Sequence, residues 1–463
     1  DVPRGEMTDV VFDCYRRMAL AIKEEWPEKK LVAWAYSNYR MPPTAIERMP
    51  DNFHLQLCDL FEVGFFKDPK VRQWYIENVS KPWSEVVGGR MTIFAYLPLQ
   101  VNYPLYYVHS LVPYVRDVAS LTQGVYYCNK ENWARDHINH YIRFRLSWNP
   151  DFNVDAALEE YYRLAYGDAA PMIGTVYRRM IEAWDEHPVA FDPSNPTLRL
   201  DSRDVYAELY PPEFVDQVAG LLEQARRVTD PESLPGMRVR FLAESFEPFF
   251  AESKEYRRPL AAADVPTKMG NLVIDGNASD PWWSRCKAIV LQPETKDTAA
   301  YPGTVRMCYD DKALYLVAEL KDDKPKKLRA AAQGHDGATW LDDSVELFLA
   351  PPDKSRYVQV IVNAEGTVYD QKVIFDKKTN AKAWTARGLV ARVKVDEDRW
   401  VLEMKLPFDG LFETPPEAGQ VWYGNIVRNK QTEPKGRQAF SVTFGNNHDP
   451  DRWGRLRFEG IGF

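Results

Sequence analysis

The sequence has 463 residues and a formal net charge of −8, from 59 Lys and Arg against 67 Asp and Glu. That length suggests about three domains, and an acidic balance without a basic run argues against nucleic acid or an anionic membrane as the main partner. Hydrophobic residues make up 45% and mean hydropathy is −0.46, as in a globular chain, and no stretch approaches the roughly 20 apolar residues of a membrane span. Five cysteines (Cys14, Cys58, Cys128, Cys286, Cys308) are scattered without a CxxC pair, a pattern of neither a zinc ribbon nor a disulfide framework. The first residue is Asp1, with no Met or signal peptide before it, which reads as a processed, trimmed or partial chain.

From the N-terminus, apolar recurrence at three and four residues predicts a helix over 8–25, followed by a short strand, Leu31 to Tyr36. Further strands are expected at 53–59, 91–96 and 124–128, with helices at 69–86, 105–120 and 133–148. Apolar strands alternating with helices imply parallel strands covered by helices. A complete (β/α)8 barrel needs ~250 residues, about twice what 1–150 supplies. This segment is therefore read as the C-terminal half of a (β/α)8 barrel. Residues 151–262 form a helical domain, with helices near 155–165, 171–184, 212–228 and 237–253. From 263 to 463 short alternating strands and turn signals predict a β-sandwich, with strands at 314–319, 345–349, 358–363, 389–395, 400–406 and 421–425. The fold class is thus multidomain α/β plus β.

The last third resembles a family 9 carbohydrate-binding module. The resemblance rests on Ile274-Asp275-Gly276 with Trp282-Trp283, Val305 to Asp310, Ala313 to Leu316, and above all Trp340-Leu341-Asp342-Asp343-Ser344-Val345-Glu346-Leu347-Phe348. Trp400 to Glu403, Leu406-Pro407-Phe408, Gly424-Asn425-Ile426 and Trp453 to Leu456 continue it. The resemblance implies a sugar held between two Trp side chains with a Glu on its hydroxyls. Trp340 and Glu346 match the first Trp and the Glu. The second Trp has no match, because the corresponding stretch reads Gly445-Asn446-Asn447-His448-Asp449-Pro450, and Ile361 stands near a position that carries Arg in sugar-binding members. Two readings stay open for this domain: sugar binding, or a structural or docking role.

The first 260 residues resemble the domain-of-unknown-function family 4838, related in architecture to α-glucuronidases and other barrel glycoside hydrolases. Leu31 to Tyr39, Pro42-Pro43, Leu57-Cys58-Asp59, Phe94-Ala95-Tyr96 with Asn102-Tyr103, Gln123 to Tyr126 and Leu146 to Pro150 carry it. The resemblance implies a secreted bacterial protein with further strand–helix units upstream.

Barrel chemistry sits at the carboxyl ends of the strands, and glycoside hydrolysis needs two carboxyl groups flanking the scissile bond. Asp59 and Glu131 follow predicted strands directly and are the catalytic candidates, each open equally to a capping role. Glu62, Tyr36, Asn38, Tyr96, Asn102 and Trp133 are candidate sugar contacts, or core residues. His137 and His140 lie three apart on a helix, but no third ligand has matching spacing, so no metal is expected there. Arg143 and Arg145 read as helix surface or ion-pair residues. No Gly-rich phosphate loop or GxSxG elbow is present, and no cofactor is expected. The expected partner is a glycan or polysaccharide. Its host reads as part of a glycoside hydrolase acting on a complex or acidic glycan, or as a non-catalytic glycan-binding or structural protein.

Overall fold

The computed structural model describes residues 6–60, 67–96, 103–128, 132–188, 200, 202–294, 298–374, 379–381, 384–412 and 414–460. The chain divides into two compact units, Asp1–Arg258 and Pro259–Phe463. No helix among the described residues is long and apolar enough to cross a membrane.

In the first unit, helix Glu6–Glu25 precedes strands β1 (Leu31–Ala35), β2 (Phe53–Leu60), β3 (Met91–Tyr96) and β4 (Val125–Cys128). The four are parallel and adjacent in chain order, with Leu31 opposite Phe53, Leu55 opposite Met91 and Ile93 opposite Val125. Parallel neighbours need a crossover that returns the chain to the same end. Between β2 and β3 it holds helices Pro69–Tyr75 and Lys81–Val86, separated by a π turn over Ile76–Ser80. The helix expected over 69–86 is thus present, with a π turn inside it just before Pro82, which has no N–H to continue the ladder.

One sheet face is sealed: Phe53, Leu55, Leu57, Met91 and Ile93 are fully buried. The other is open. Val32, Trp34 and Tyr126 are 52%, 44% and 56% exposed, and Phe94 bridges the two aromatics, 5.4 Å from Trp34 and 4.7 Å from Tyr126 by ring centroids. Helices Val154–Tyr166, Ala170–Glu186, Pro212–Val228 and Leu234–Tyr256 follow. They share one buried core with the strand–helix segment, running from Phe12 to Phe249.

The second unit is two facing sheets. The larger comprises β5 (Ala262–Val265), β7 (Gln292–Pro293), β10 (Ser344–Ala350), β11 (Arg356–Asn363), β12 (Val368–Ile374), β13 (Thr379–Ala381), β16 (Val421–Lys430), β17 (Gly436–Ala439) and β18 (Gly454–Phe458). The smaller runs β14 (Val390–Val395), β15 (Arg399–Pro407), β9 (Ala313–Lys321), β8 (Gly303–Tyr309) and β6 (Ile289–Val290). Every other residue enters the shared core: Leu314, Leu316, Ala318 and Leu320 from β9, Val345, Leu347 and Leu349 from β10, Trp400, Leu402 and Met404 from β15. Gly424 is required where β16 passes β10, since a Cβ there would lie 2.8 Å from Phe348 O and 2.7 Å from a Leu456 methyl.

Candidate functional site

Strand β10 sends Val345, Leu347 and Leu349 inward, so Glu346 and Phe348 stand on the outer face of the larger sheet. By the same alternation β11 presents Tyr357, Gln359 and Ile361, and β12 presents Tyr369 and Gln371. The antiparallel register sets Glu346 opposite Ile361 and Gln359 opposite Gln371. Glu346, Tyr357, Gln359, Ile361, Tyr369 and Gln371 form the floor of a concavity of about 570 Å³, closed at its sides by Trp340 and by Asn446, Asn447 and His448.

Trp340 projects from a short turn, Thr339–Leu341, and is 44% exposed. The two aspartates after it are buried and tie down the surrounding chain. Asp342 accepts hydrogen bonds from Ala331 N and Ala332 N at 2.9 Å and from Asn363 Nδ2 at 3.0 Å. Asp343 accepts from Arg329 N at 2.7 Å and from Gln431 N at 2.9 Å. The Trp-Leu-Asp-Asp motif thus holds an aromatic face over the pocket, with carboxylates satisfying loop amides that would otherwise be orphaned.

Glu346 is buried, with one carboxylate oxygen accepting from Gln359 Nε2 and the other from Asn447 Nδ2, each at 2.9 Å. Burial pushes its carboxyl up to about 7, against the lowering effect of those two amides. Gln371 Nε2 donates to Gln359 Oε1, while Gln371 Oε1 is buried with no hydrogen-bond partner among the described residues. The wall where a second Trp was sought is polar. His448 Nδ1 meets the Tyr357 hydroxyl at 2.6 Å, and burial holds its imidazole below the ordinary value. Trp453 lies beneath instead, fully buried against Phe348, with its indole N–H donating to Asn447 O at 2.9 Å. The site therefore offers one aromatic face, one carboxyl and a row of amides.

In the first unit, the parallel strands place their carboxyl ends along one edge. Tyr36 follows β1 and is half-buried, Asn38 is exposed in the Ser37–Tyr39 turn, and Asp59 lies in β2 opposite Ala95 of β3. Tyr96 ends β3 opposite Leu60. Trp133 opens helix Trp133–Trp148 after β4, 55% exposed and 4.2 Å from the His140 ring. β1 and β4 flank two intervening strands, so Tyr36 and Trp133 belong to opposite margins of the sheet. The side chains of Asp59 and Tyr96, and Glu62, Asn102 and Glu131 altogether, lie outside the described residues. Helix 133–148 also corrects one sequence reading: Arg143 is not on the surface but fully buried, 4.7 Å over the Tyr127 ring. That helix packs against helices Val108–Val118 and Leu234–Tyr256, and its inward face carries Arg135, Asp136, Asn139, His140 and Arg143 as well as apolar residues. His137 Nε2 meets the Tyr161 hydroxyl at 2.6 Å, and burial lowers its imidazole.

Two family models match the chain. Residues 274–461 match Carbohydrate family 9 binding domain-like, and residues 2–178 match the domain of unknown function DUF4838. The first of these matches falls on the sandwich. Both families stand in the order the sequence predicted. Among solved structures, a candidate carbohydrate-binding protein from Bacteroides uniformis is 18% identical over 43% of this chain and 100% of its own, with a TM-score of 0.38. Two structures of a family 9 module from Caldicellulosiruptor kristjanssonii, one with glucose and one with cellotriose, are 18% and 19% identical over 43% of this chain. They cover 97% and 95% of the module, at TM-scores of 0.34 and 0.33. Comparison with curated proteins gives no match.

Of the residues predicted for the sandwich, Trp340 and Glu346 do share one pocket. Sequence reasoning missed Gln359, Tyr369, Gln371 and Asn447. For the first three the signal was the period-two alternation of β11 and β12, which places every second residue on the face that Glu346 occupies, whereas Asn447 lies in the loop between β17 and β18.

Proposed function

We propose that this is a carbohydrate-active protein whose sandwich binds a glycan in the pocket over Glu346. The observation that carries the reading is the buried Gln371 Oε1 acceptor, lacking a donor among the described residues, at the floor of a pocket walled by exposed Trp340. A sugar offers both complements: C–H faces that stack on an indole, and hydroxyls that donate to Gln371 and to the Glu346 carboxylate. Gln359 and Asn447 hold Glu346 from two sides and so fix where those hydroxyls must lie. Electrophoresis through gels containing soluble polysaccharides tests this: wild type is retarded in at least one gel, and Trp340→Ala runs as in a blank gel. Equal mobility of the two proteins in every gel would remove the assignment.

A second reading concerns catalysis, and the open aromatic face of the parallel sheet favours it. Parallel sheets are normally covered on both faces, and here Val32, Trp34 and Tyr126 are 52%, 44% and 56% exposed. We propose that β1 to β4 form the later half of a (β/α)8 barrel, with Asp59 and Glu131 as the carboxyl pair of a secreted bacterial glycoside hydrolase. Tyr36, Asn38, Glu62, Tyr96, Asn102 and Trp133 would then contact substrate at the carboxyl ends of the strands. Product analysis on a glycan panel with the complete gene product checks it. Asp59→Asn and Glu131→Gln should each lower turnover by about 10³-fold or more, and unchanged turnover in both would refute the pair.

A further inference from the structure

We propose that Cys286 and Cys308 are a disulfide-forming pair that staples the segment entering the sandwich to strand β8. The pairing follows from register. Ile289 and Val290 of β6 stand opposite Val305 and Thr304 of β8. Carried back along the chain from Ile289, that antiparallel count sets Cys286 opposite Cys308. Leu291 N donates to Gly303 O at 2.9 Å, which makes 291 and 303 a hydrogen-bonded pair. Alternation then puts 286 and 308 in the other class, whose side chains lie closer together. Opposed residues of an antiparallel pair have Cα atoms ~4.5–5.5 Å apart, inside the ~4.4–6.8 Å that a disulfide bridges.

The sulfurs meet as that register requires. Both thiols are free and buried, both belong to the small apolar cluster that contains Trp283, Tyr315, Val317 and Val401, and they are hydrogen-bonded to each other. Cys286 Sγ also donates to Trp282 O at 3.4 Å. The bond from Cys308 and the charge of Arg306 hold the Cys286 thiol below its ordinary value against the effect of burial, whereas that same bond and burial push Cys308 up. The asymmetry sets the order of events. Cys286 loses its proton and attacks an external low-molecular-weight disulfide, and one sulfur of that disulfide leaves as a thiol carrying the proton. Cys308 then gives up its own proton, attacks Cys286 Sγ and expels the second thiol. The two cysteines are oxidised by two electrons, and the external disulfide is reduced to two thiols.

The bond would make covalent a cover that is otherwise held by packing and by one carboxylate. Leu272, Ile274 and Ala278 of the entering segment pack on the same cluster, and Asp275 N, Gly276 N and Trp283 Nε1 all donate to Glu403. Cys308, Tyr315 and Val317 alternate with Met307, Leu316 and Ala318 of the inner core, so this cover lies on the outer face of the smaller sheet. The pocket over Glu346 is on the outer face of the larger one. The cysteine pair therefore stands independently of whether that pocket holds a sugar.

The test takes the full chain, reduced and freed of reductant, and holds it folded in oxidised glutathione until its free-thiol count is constant. Alkylation followed by a non-reducing tryptic map in the mass spectrometer should show residues 286–287 joined to residues 307–312. The oxidised chain should melt above the reduced chain by about 5 °C or more, as expected for closing a loop of this size. In Cys286→Ser that oxidant-dependent rise should vanish, and the wild-type map decides the pairing whether or not this variant folds. Recovery of Cys286 and Cys308 as alkylated thiols would overturn the proposal. So would a joined pair that leaves the melting temperature unmoved, or a rise that persists in Cys286→Ser.

Discussion

The Tyr369 ring meets Trp340 edge-on, with centroids 5.2 Å apart and planes at 77°. Edge-to-face contact leaves one indole face unstacked and fixes its tilt over the floor that Glu346, Gln359 and Gln371 build. The turn carrying Trp340 is anchored independently by Asp342 and Asp343, so the indole is preorganised rather than recruited on binding.

Because Trp340 is 44% exposed and contributes little to the core, Trp340→Ala should leave thermal stability within about 0.5 kcal/mol of wild type. Glycan affinity should fall by at least about 10-fold, as expected for losing a stacking face. Differential scanning fluorimetry and a binding isotherm separate the two effects.

Glu346 sets a pH dependence. Its carboxyl is raised to about 7 in the folded protein from an ordinary value of 4.5, so the native state retains a proton that the unfolded chain gives up between those values. The stability it contributes is fully present below about 4.5 and is lost as pH rises through about 7. Thermal melts of wild type should therefore gain stability relative to Glu346→Gln on moving from pH 8 to pH 5.5. Glycan affinity should run the other way, rising through about pH 7 as the carboxylate becomes a pure acceptor. Parallel melts of the two proteins across that range, with isotherms for wild type, test both signs.

Glu403 holds the start of the sandwich. Fully buried in β15, it accepts from Trp283 Nε1 and Gly276 N at 2.7 Å and from Asp275 N at 2.8 Å. Glu403→Ala orphans two buried donors, Gly276 N and Trp283 Nε1, and should destabilise the unit by about 3 kcal/mol. Urea unfolding followed by tryptophan emission measures it, and a change below about 1 kcal/mol would mean the donors find other partners.

Asp322 is buried between Lys430 Nζ at 2.7 Å and Arg428 Nη2 at 3.1 Å. Asp322→Asn keeps the shape but leaves two buried cations without their anion, with an expected cost of about 3–5 kcal/mol. The same urea series should show it, and partial recovery in Asp322→Asn with Lys430→Met would identify the unpaired charge as the cause.

How far the sequence reached depended on whether a residue's side chain advertised its environment. Helices 133–148 and 212–228 and strand 91–96 were legible to the residue because their apolar positions follow one period without interruption. Strands β8 and β18 were recognised only as motifs, and β12 was not foreseen, because Asp370 and Gln371 interrupt its apolar pattern. The pocket divides the same way. Trp340 and Glu346 stand out in a specific motif, whereas Gln359 and Gln371 look like ordinary solvent-facing strand residues until the register sets them side by side. Arg143 misled in the opposite sense, since an arginine in an amphipathic pattern normally points to water. The carboxyl ends of β2, β3 and β4, where Asp59, Tyr96 and Glu131 were expected to act, depend on groups beyond any single strand's pattern.

The most direct measurement is calorimetric titration of the full chain with a panel of soluble oligosaccharides at pH 8, beside Trp340→Ala and Gln371→Ala. One saturable site per chain in wild type, weakened about 10-fold or more in both variants, is the predicted result. No binding by any saccharide, or binding that both variants retain undiminished, would contradict a sugar site over Glu346.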